Sequence, residues 1–317
     1  MQKVYIIHEN GEWVAPLRKQ LEALDTPYEE WSLVQGTVPI DDAPPEGIFY
    51  NRMSASSYTR DHRFSPEYAA VVLSWLEAHG RTIVNDSQAL ALEINKAAQY
   101  QILRAGGIRT PRTVVAVGPE AILDASEKFG EDPLILKPNR GGKGDGVQLF
   151  EDRTQLQDYI KASTYEAPVD GISLVQEYIY APDQSIIRAE FIGGKFFYAV
   201  RVDTSDGFEL CPADVCQVPG ETAEPTFRIL EDDGGLGADV IQAAEGVLAD
   251  NGVKVAGIEF IRNEAGDLFA YDINTNTNYN PEAEAVAGKY GMAQLAGYLS
   301  GLLAAQTGDR ELLLKAS

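Results

Sequence analysis

Between Leu134 and Phe150 the chain reads LILKPNRGGKGDGVQLF, and no other stretch narrows the choice of folds so much. Leu134–Lys137 is an apolar run of strand character, and Gly146–Phe150 alternates as a strand. Between them stand Gly141, Gly142, Gly144 and, at the far edge, Gly146. A strand, a glycine-rich connection and a second strand make a hairpin, so the fold must hold an antiparallel pair whose turn is nearly bare of side chains.

That turn is also cationic, with Lys137 before it and Arg140 and Lys143 within it. Bare backbone N–H groups can approach phosphate oxygens closely. Two familiar phosphate loops are excluded. A Walker loop needs Ser or Thr after its lysine, and Gly144 follows Lys143. Walker and Rossmann loops also lead into a helix, whereas this one leads into a strand. The design is closer to the glycine-rich hairpin over ATP in protein kinases, except that Lys137 precedes the loop. Such a loop can serve as a lid that opens for a nucleotide and closes against water. A plain structural turn is the competing reading.

Net charge sharpens the point. The 317 residues hold 26 Lys and Arg against 48 Asp and Glu, a formal charge of -22. An acidic chain is a poor partner for duplex nucleic acid or anionic membranes, so basic residues gathered in one loop carry information. With 44 % hydrophobic residues, a large core in two or three domains is expected. Cys211 and Cys216 have no histidine near them and read as structural or incidental rather than as a zinc site. The run MQKVYIIHENGEW contains no signal-peptide pattern, and MAQLAGYLSGLLAAQ is too short to span a bilayer, so a cytoplasmic protein is expected.

The first third alternates strand and helix: KVYIIH, then WVAPLRKQLEAL, GIFYNRM, SPEYAAVVLSWLEAHG and TIVN. This βαβ rhythm predicts a small open sheet covered by helices. Ser65 is expected as N-cap of the second helix, with Pro66 in its first turn and Gly80 as its stop. No G-x-G-x-x-G follows KVYIIH, so a dinucleotide site there is excluded. QALALEINKAAQYQILRAGG reads as one helical segment, and the stretch from Asn85 to Pro111 as a domain junction. The last third holds two hairpins, turning at Gly193-Gly194 and near Ala265-Gly266, with a helix between them closed by Gly252.

The second hairpin, GIEFIRNEAGDLFAYDIN, buries charge in apolar strands. Its turn sets Glu259 opposite Tyr271 or Asp272, and Asn274 shares a face with Asp272. Two carboxylates and an amide oxygen suit magnesium, which keeps waters and takes further ligands from phosphate. A solvent-facing acidic edge is the alternative. The following run NTNTNYN is poor strand material but rich in hydrogen-bonding groups. The loop NRMSASSYTRDHRFS, with Arg52, Arg60, His62 and Arg63, follows a strand's C-terminal end. It is either a carboxylate-binding loop or a solvated basic one.

A lysine before a glycine hairpin, a strand ending VQEYI and an acidic hairpin closing in DIN occur here in that order. The combination resembles the ATP-grasp superfamily, nearest the glutamate ligases and glutathione synthetase, over roughly Asn85 to Ala304. The resemblance implies an α/β protein with an ATP-grasp fold: a Rossmann-like N-terminal domain over 1–95, a central lid subdomain over 96–175 and a mixed-sheet subdomain over 176–317. It implies that Lys96 and Lys137 bind phosphate and that Gly141, Gly142, Lys143, Gly144 and Gly146 form the lid. Gln176, Glu177, Tyr178 and Ile179 would form the adenine hinge, and Asp183 would meet the ribose. Arg188 and Arg201 would steady phosphates and a tetrahedral intermediate, and Glu259, Asp272 and Asn274 would bind magnesium, as one or two ions, with manganese as a substitute. Arg52, Arg63, Arg201, Asn276 and Tyr279 would contact substrate.

Two departures stand out. Asp272 replaces the usual Glu, and TNTNYNP replaces a Pro-Gly turn, which leaves the acceptor undefined. The implied reaction joins a carboxylate to an amine through an acyl phosphate, with Arg201 at the oxyanion and Lys137 at the phosphates. Amino acids or a peptide or protein C-terminus are the implied partners, without nucleic acid or membrane, and self-association is left open. A phosphotransferase, a nucleotide sensor, or a ligase with a thiol or hydroxyl acceptor are the rival readings.

Overall fold

A parallel sheet comes first in the computed structural model, which describes residues 2–142, 144–205 and 226–316. Its parts are β1 (Lys3–His8), α1 (Gly11–Ala23), β2 (Tyr28–Ser32), β3 (Gly47–Asn51), α2 (Ser65–Ala78) and β4 (Thr82–Val84), with strand order β2-β1-β3-β4. β1 and β3 are almost wholly buried, and their apolar runs show it. β2, YEEWS, has no such run; its charges suit the sheet edge it occupies. The N-cap of α2 is Phe64, one residue before the expected Ser65. Ser65 is buried as the first helical residue, and Pro66 still sits where its missing N–H costs nothing.

The single helix expected after β4 is two helices, α3 (Ser87–Glu93) and α4 (Lys96–Ala105). Asn95 breaks it. Its side chain accepts from the Ala98 N–H at 3.0 Å, and Asn139 Oδ1 takes the Ala97 N–H at 3.0 Å, so the new helix start has its donors satisfied from outside. Apolar periodicity runs through the break and hides it.

The second sheet is antiparallel, ordered β5-β8-β6-β7, from β5 (Thr113–Val117), α5 (Pro119–Ser126), β6 (Leu134–Pro138), β7 (Gln148–Phe150), α6 (Arg153–Lys161) and β8 (Ile172–Glu177). The glycine loop joins β6 to β7. The third sheet, β11-β10-β9-β12-β13, contains β9 (Ser185–Ile192), β10 (Lys195–Asp203), β11 (Phe227–Ile229), α7 (Ala238–Asp250), β12 (Val255–Arg262) and β13 (Leu268–Asn274). Gly193 and Gly194 turn the β9–β10 hairpin at φ +65° and +74°, a conformation other residues adopt at a cost. The chain closes with α8 (Pro281–Ala287), α9 (Gly291–Thr307) and α10 (Arg310–Ala316).

α9 packs on α1 and also touches β1, β3 and β9, so this long helix near the C-terminus shares a core with the first sheet. Leu295, Leu299 and Leu303 are buried there, each worth about 1.5–3 kcal/mol of transfer free energy. Thr26 and Ser300 share a hydrogen bond at 2.6 Å across the same contact. Among the described residues no helix is long and apolar enough to cross a membrane.

Candidate functional site

A cavity of about 290 Å³ opens where the lid loop, the segment after β8, the β12–β13 pair and a turn after β3 meet. Period-2 alternation aims the strand residues: Ile135 and Lys137 of β6 line the cavity, while Leu134 and Leu136 enter the core. Lys96 heads α4, is nearly buried and forms an ion pair with Asp272 of β13. Lys137 is buried with its Nζ 5.2 Å from the Tyr100 ring centre and 5.5 Å from that of Tyr271. Burial first, and the Lys96 charge second, pull its pKa down to about 7. Two lysines so placed repel one another.

Glu259 faces Asp272 across β12–β13, the second of the two partners the turn allowed, and Asn274 Nδ2 lies 3.2 Å from Glu259 Oε1. Arg188 of β9 donates to Glu259 at 3.0 Å and to Glu190 at 2.6 Å. No cluster of three His, Cys, Asp or Glu side chains occurs among the described residues. The set here is two carboxylates and one amide oxygen. Those hard oxygens, on neighbouring strands in one cavity, fit magnesium that takes its other ligands from water and phosphate, and cationic side chains now pair with both carboxylates.

Gln176, Glu177, Tyr178 and Ile179 form one wall. Gln176 Oε1 accepts from Tyr100 Oη at 3.0 Å, and the Glu177 carboxylate takes the Arg112 backbone N–H at 2.7 Å and its Nε at 2.6 Å. The Glu177 side chain therefore braces the start of β5. With Ile135, Val147, Ile186 and Ile261, this wall makes an apolar slot suited to a flat ring.

Gly141, Gly142 and Gly144 line the cavity, and Gly146 turns the chain at the loop's base with φ +71°. Asp145 of the loop accepts from Tyr58 Oη at 2.8 Å, and Arg140 pairs with Glu67 at 2.7 Å. The lid thus rests on the segment between β3 and α2. Lys143, Cys211 and Cys216 lie outside the described residues.

Besides Gly146, five expected residues do not reach the cavity wall. Asp183 takes the Ser185 hydroxyl at 2.5 Å, and Arg201 donates to the Asp183 carbonyl at 3.1 Å, so the two engage each other's neighbourhood; Gln184 and Ile186 line the cavity instead. Arg63 lies 5.6 Å from the Phe64 ring centre. Tyr279 is buried in the core beside Tyr198. Arg52 is buried behind the Asn run, while Asn276 lines the cavity as expected. Ser54 and Ser56 of the basic loop and Asn278 of the Asn run also line it, whereas Trp13, Glu93 and Asp145, which line it too, were not singled out from the sequence. Glu93 had a signal, a carboxylate inside the apolar run LALEI. It is buried and accepts the Thr275 N–H at 2.7 Å and the Ala55 N–H at 3.2 Å, and burial raises its pKa.

Two lysines and a carboxylate pair stand under a glycine hairpin, held between two antiparallel sheets, and the fold is that of the ATP-grasp ligases. Residues 93–213 match the RimK-like ATP-grasp domain. The chain is similar to a probable alpha-L-glutamate ligase of Xanthomonas euvesicatoria pv. vesicatoria (strain 85-10), 28 % identical over 231 residues that cover 71 % of this chain and 70 % of the relative. Its fold matches the ATP-grasp ligase PsnB complexed with a minimal precursor at TM-score 0.67 and 17 % identity, over 94 % of this chain and 98 % of that one. A structure of PsnB with Mg, ADP and a phosphomimetic variant of the precursor matches at TM-score 0.64 and 17 % identity, over 97 % and 99 % of the two chains.

Proposed function

We propose that this protein is an ATP-dependent carboxylate–amine ligase that releases ADP and phosphate. The observation that carries the reading is the meeting of Lys96 and Lys137 with Glu259 and Asp272 in one lidded cavity. Bound ATP with magnesium would supply the phosphoryl group that makes a carboxylate reactive toward an amine. Lys96 and Lys137 would oppose the charge on the phosphates, and Glu259, Asp272 and Asn274 would hold the metal. The wall at Tyr178 and Ile179 would take the base, and the glycine lid would exclude water. Arg188, already tied to Glu190 and Glu259, fixes the metal-binding carboxylate in place. Relatives named as probable alpha-L-glutamate ligases make L-glutamate the first substrate to test, free or as the unit added to a peptide.

The test is ADP and phosphate release with ATP and magnesium, or manganese in its place, across a panel of amino acids and short peptides, with product mass followed in parallel. Amine-dependent release and a product lighter by one water than its two parts support the ligase. A stable phosphorylated product formed without any amine would replace it with a phosphotransferase.

A further inference from the structure

We propose that Asn276 and Asn278 form a carboxylate-binding subsite of this cavity, oriented and charged from behind by Arg52. The inference rests on the ligase reading and says where one substrate carboxylate sits.

The chain leaves β13 but keeps a two-residue alternation. Asn274, Asn276 and Asn278 line the cavity, while Thr275 and Thr277 are buried on the opposite side. Buried carboxylates hold that register. Glu93 Oε2 accepts the Thr275 N–H at 2.7 Å and its hydroxyl at 2.9 Å, and Glu190 Oε2 accepts the Thr277 hydroxyl at 2.8 Å. With the threonines tied down, the asparagines face the cavity.

Arg52 then decides which end of each amide they present. Its Nε donates to Asn276 Oδ1 at 3.0 Å, and its Nη2 to Asn278 Oδ1 at 2.8 Å and to the Thr277 carbonyl at 3.0 Å. Its Nη1 donates to the Trp13 carbonyl at 2.9 Å. A guanidinium has donors only, so both amide oxygens must face it and neither amide can be flipped. Both Nδ2 groups are turned away from Arg52, and neither donates a hydrogen bond among the described residues. The cavity wall is therefore offered two NH₂ groups with fixed orientation.

Charge selects the ligand. Arg188, Arg60 and Arg140 each pair with a carboxylate. Arg52 is 2 % exposed, yet its four bonds go to neutral oxygens, and no carboxylate of a described residue lies within ion-pairing distance of it. A buried cation without an anion is costly. A carboxylate accepting from Asn276 and Asn278 would stand just beyond the amides and balance it; a neutral carbonyl would accept the same bonds and leave the charge unmatched. Arg52 is thus a positioning residue, two bonds removed from the substrate.

The discriminating variants are Asn276→Asp and Asn278→Asp. Each keeps the oxygen that Arg52 holds, gives Arg52 an ionic partner and turns the outward NH₂ into a repelling oxygen. The holoprotein with ADP and magnesium is titrated calorimetrically with L-glutamate, L-glutamine and L-isoglutamine. Expected are saturable L-glutamate binding, weaker binding of the one amide that lacks the held carboxylate, and at least tenfold loss of L-glutamate affinity in either variant. ADP affinity and thermal midpoint should not fall, and the weaker amide should not respond to either substitution. L-Glutamate binding equal to wild type in both variants would overturn the subsite, as would equal affinity of the wild type for all three compounds, or no L-glutamate binding with ADP still bound. Failure to bind nucleotide at all would instead overturn the ligase reading.

Discussion

Lys137 should make nucleotide binding take up a proton. In the free protein its pKa is about 7, because burial disfavours the ammonium and Lys96 repels it; Asp272 and Glu259 only partly compensate. At pH 8 about one-tenth of the molecules then carry the Lys137 proton, at pH 7 about half, and at pH 6 about nine-tenths. A polyphosphate beside Nζ restores the ammonium to its ordinary range near 10.4. Binding of magnesium–ADP should therefore take up about 0.9 proton at pH 8, about 0.5 at pH 7 and about 0.1 at pH 6. The measurement is calorimetric titration in buffers of different ionisation enthalpy, with Lys137→Met as control. The sign for stability follows from the same shift. The folded pKa lies below the unfolded one, so the cost of the buried ammonium is fully present below pH 7 and is relieved as pH rises from 7 toward 10.5. Wild type should therefore gain on Lys137→Met in thermal midpoint across that window. Uptake near zero at pH 8, or the same uptake in Lys137→Met, would show that this lysine is charged before nucleotide arrives and would refute the reasoning.

Other perturbations read different parts of the frame. Gly106→Ala would set a Cβ 2.2 Å from Val247 Cγ2, so α4 and α7 must separate; urea denaturation should show a loss of about 1–3 kcal/mol. Glu93→Gln can keep its oxygen toward Thr275 only by turning an NH₂ at the Ala55 N–H; stability should fall by about 1–3 kcal/mol, measured the same way. Tyr58→Phe removes the hydrogen bond to Asp145 of the lid. Stopped-flow release of a fluorescent ADP should quicken by about 2–10-fold with no change in thermal midpoint.

Much of the frame was legible in one dimension. Strand alternation and the glycine hairpins are local, since a side chain's face depends on its neighbours two residues away, and positive φ at Gly193 or Gly194 depends on the residue itself. That was enough to place Lys137 beside the lid loop and Glu259 opposite Tyr271 or Asp272; the structure selects Asp272, with a register shift after Glu259. The break at Asn95 was not legible, because Asn139, whose side chain takes a backbone N–H of the new helix start, lies just past β6, more than 40 residues away in sequence.

The sequence by itself therefore determined the hairpins, the acidic pair's register to within one residue and the basic lid, since each follows from backbone geometry and nearest neighbours. Only the tertiary structure decided which charges face the cavity and which are already engaged. Arg52, Arg188 and Arg201 look alike as arginines at or near strands, yet Arg188 lines the cavity, Arg201 turns to the acids at the ends of β9 and β10, and Arg52 stands behind two asparagines more than 220 positions away. Whether a charge is free to meet a ligand depends on which partner is nearest in space, and chain folding, not sequence distance, sets that separation.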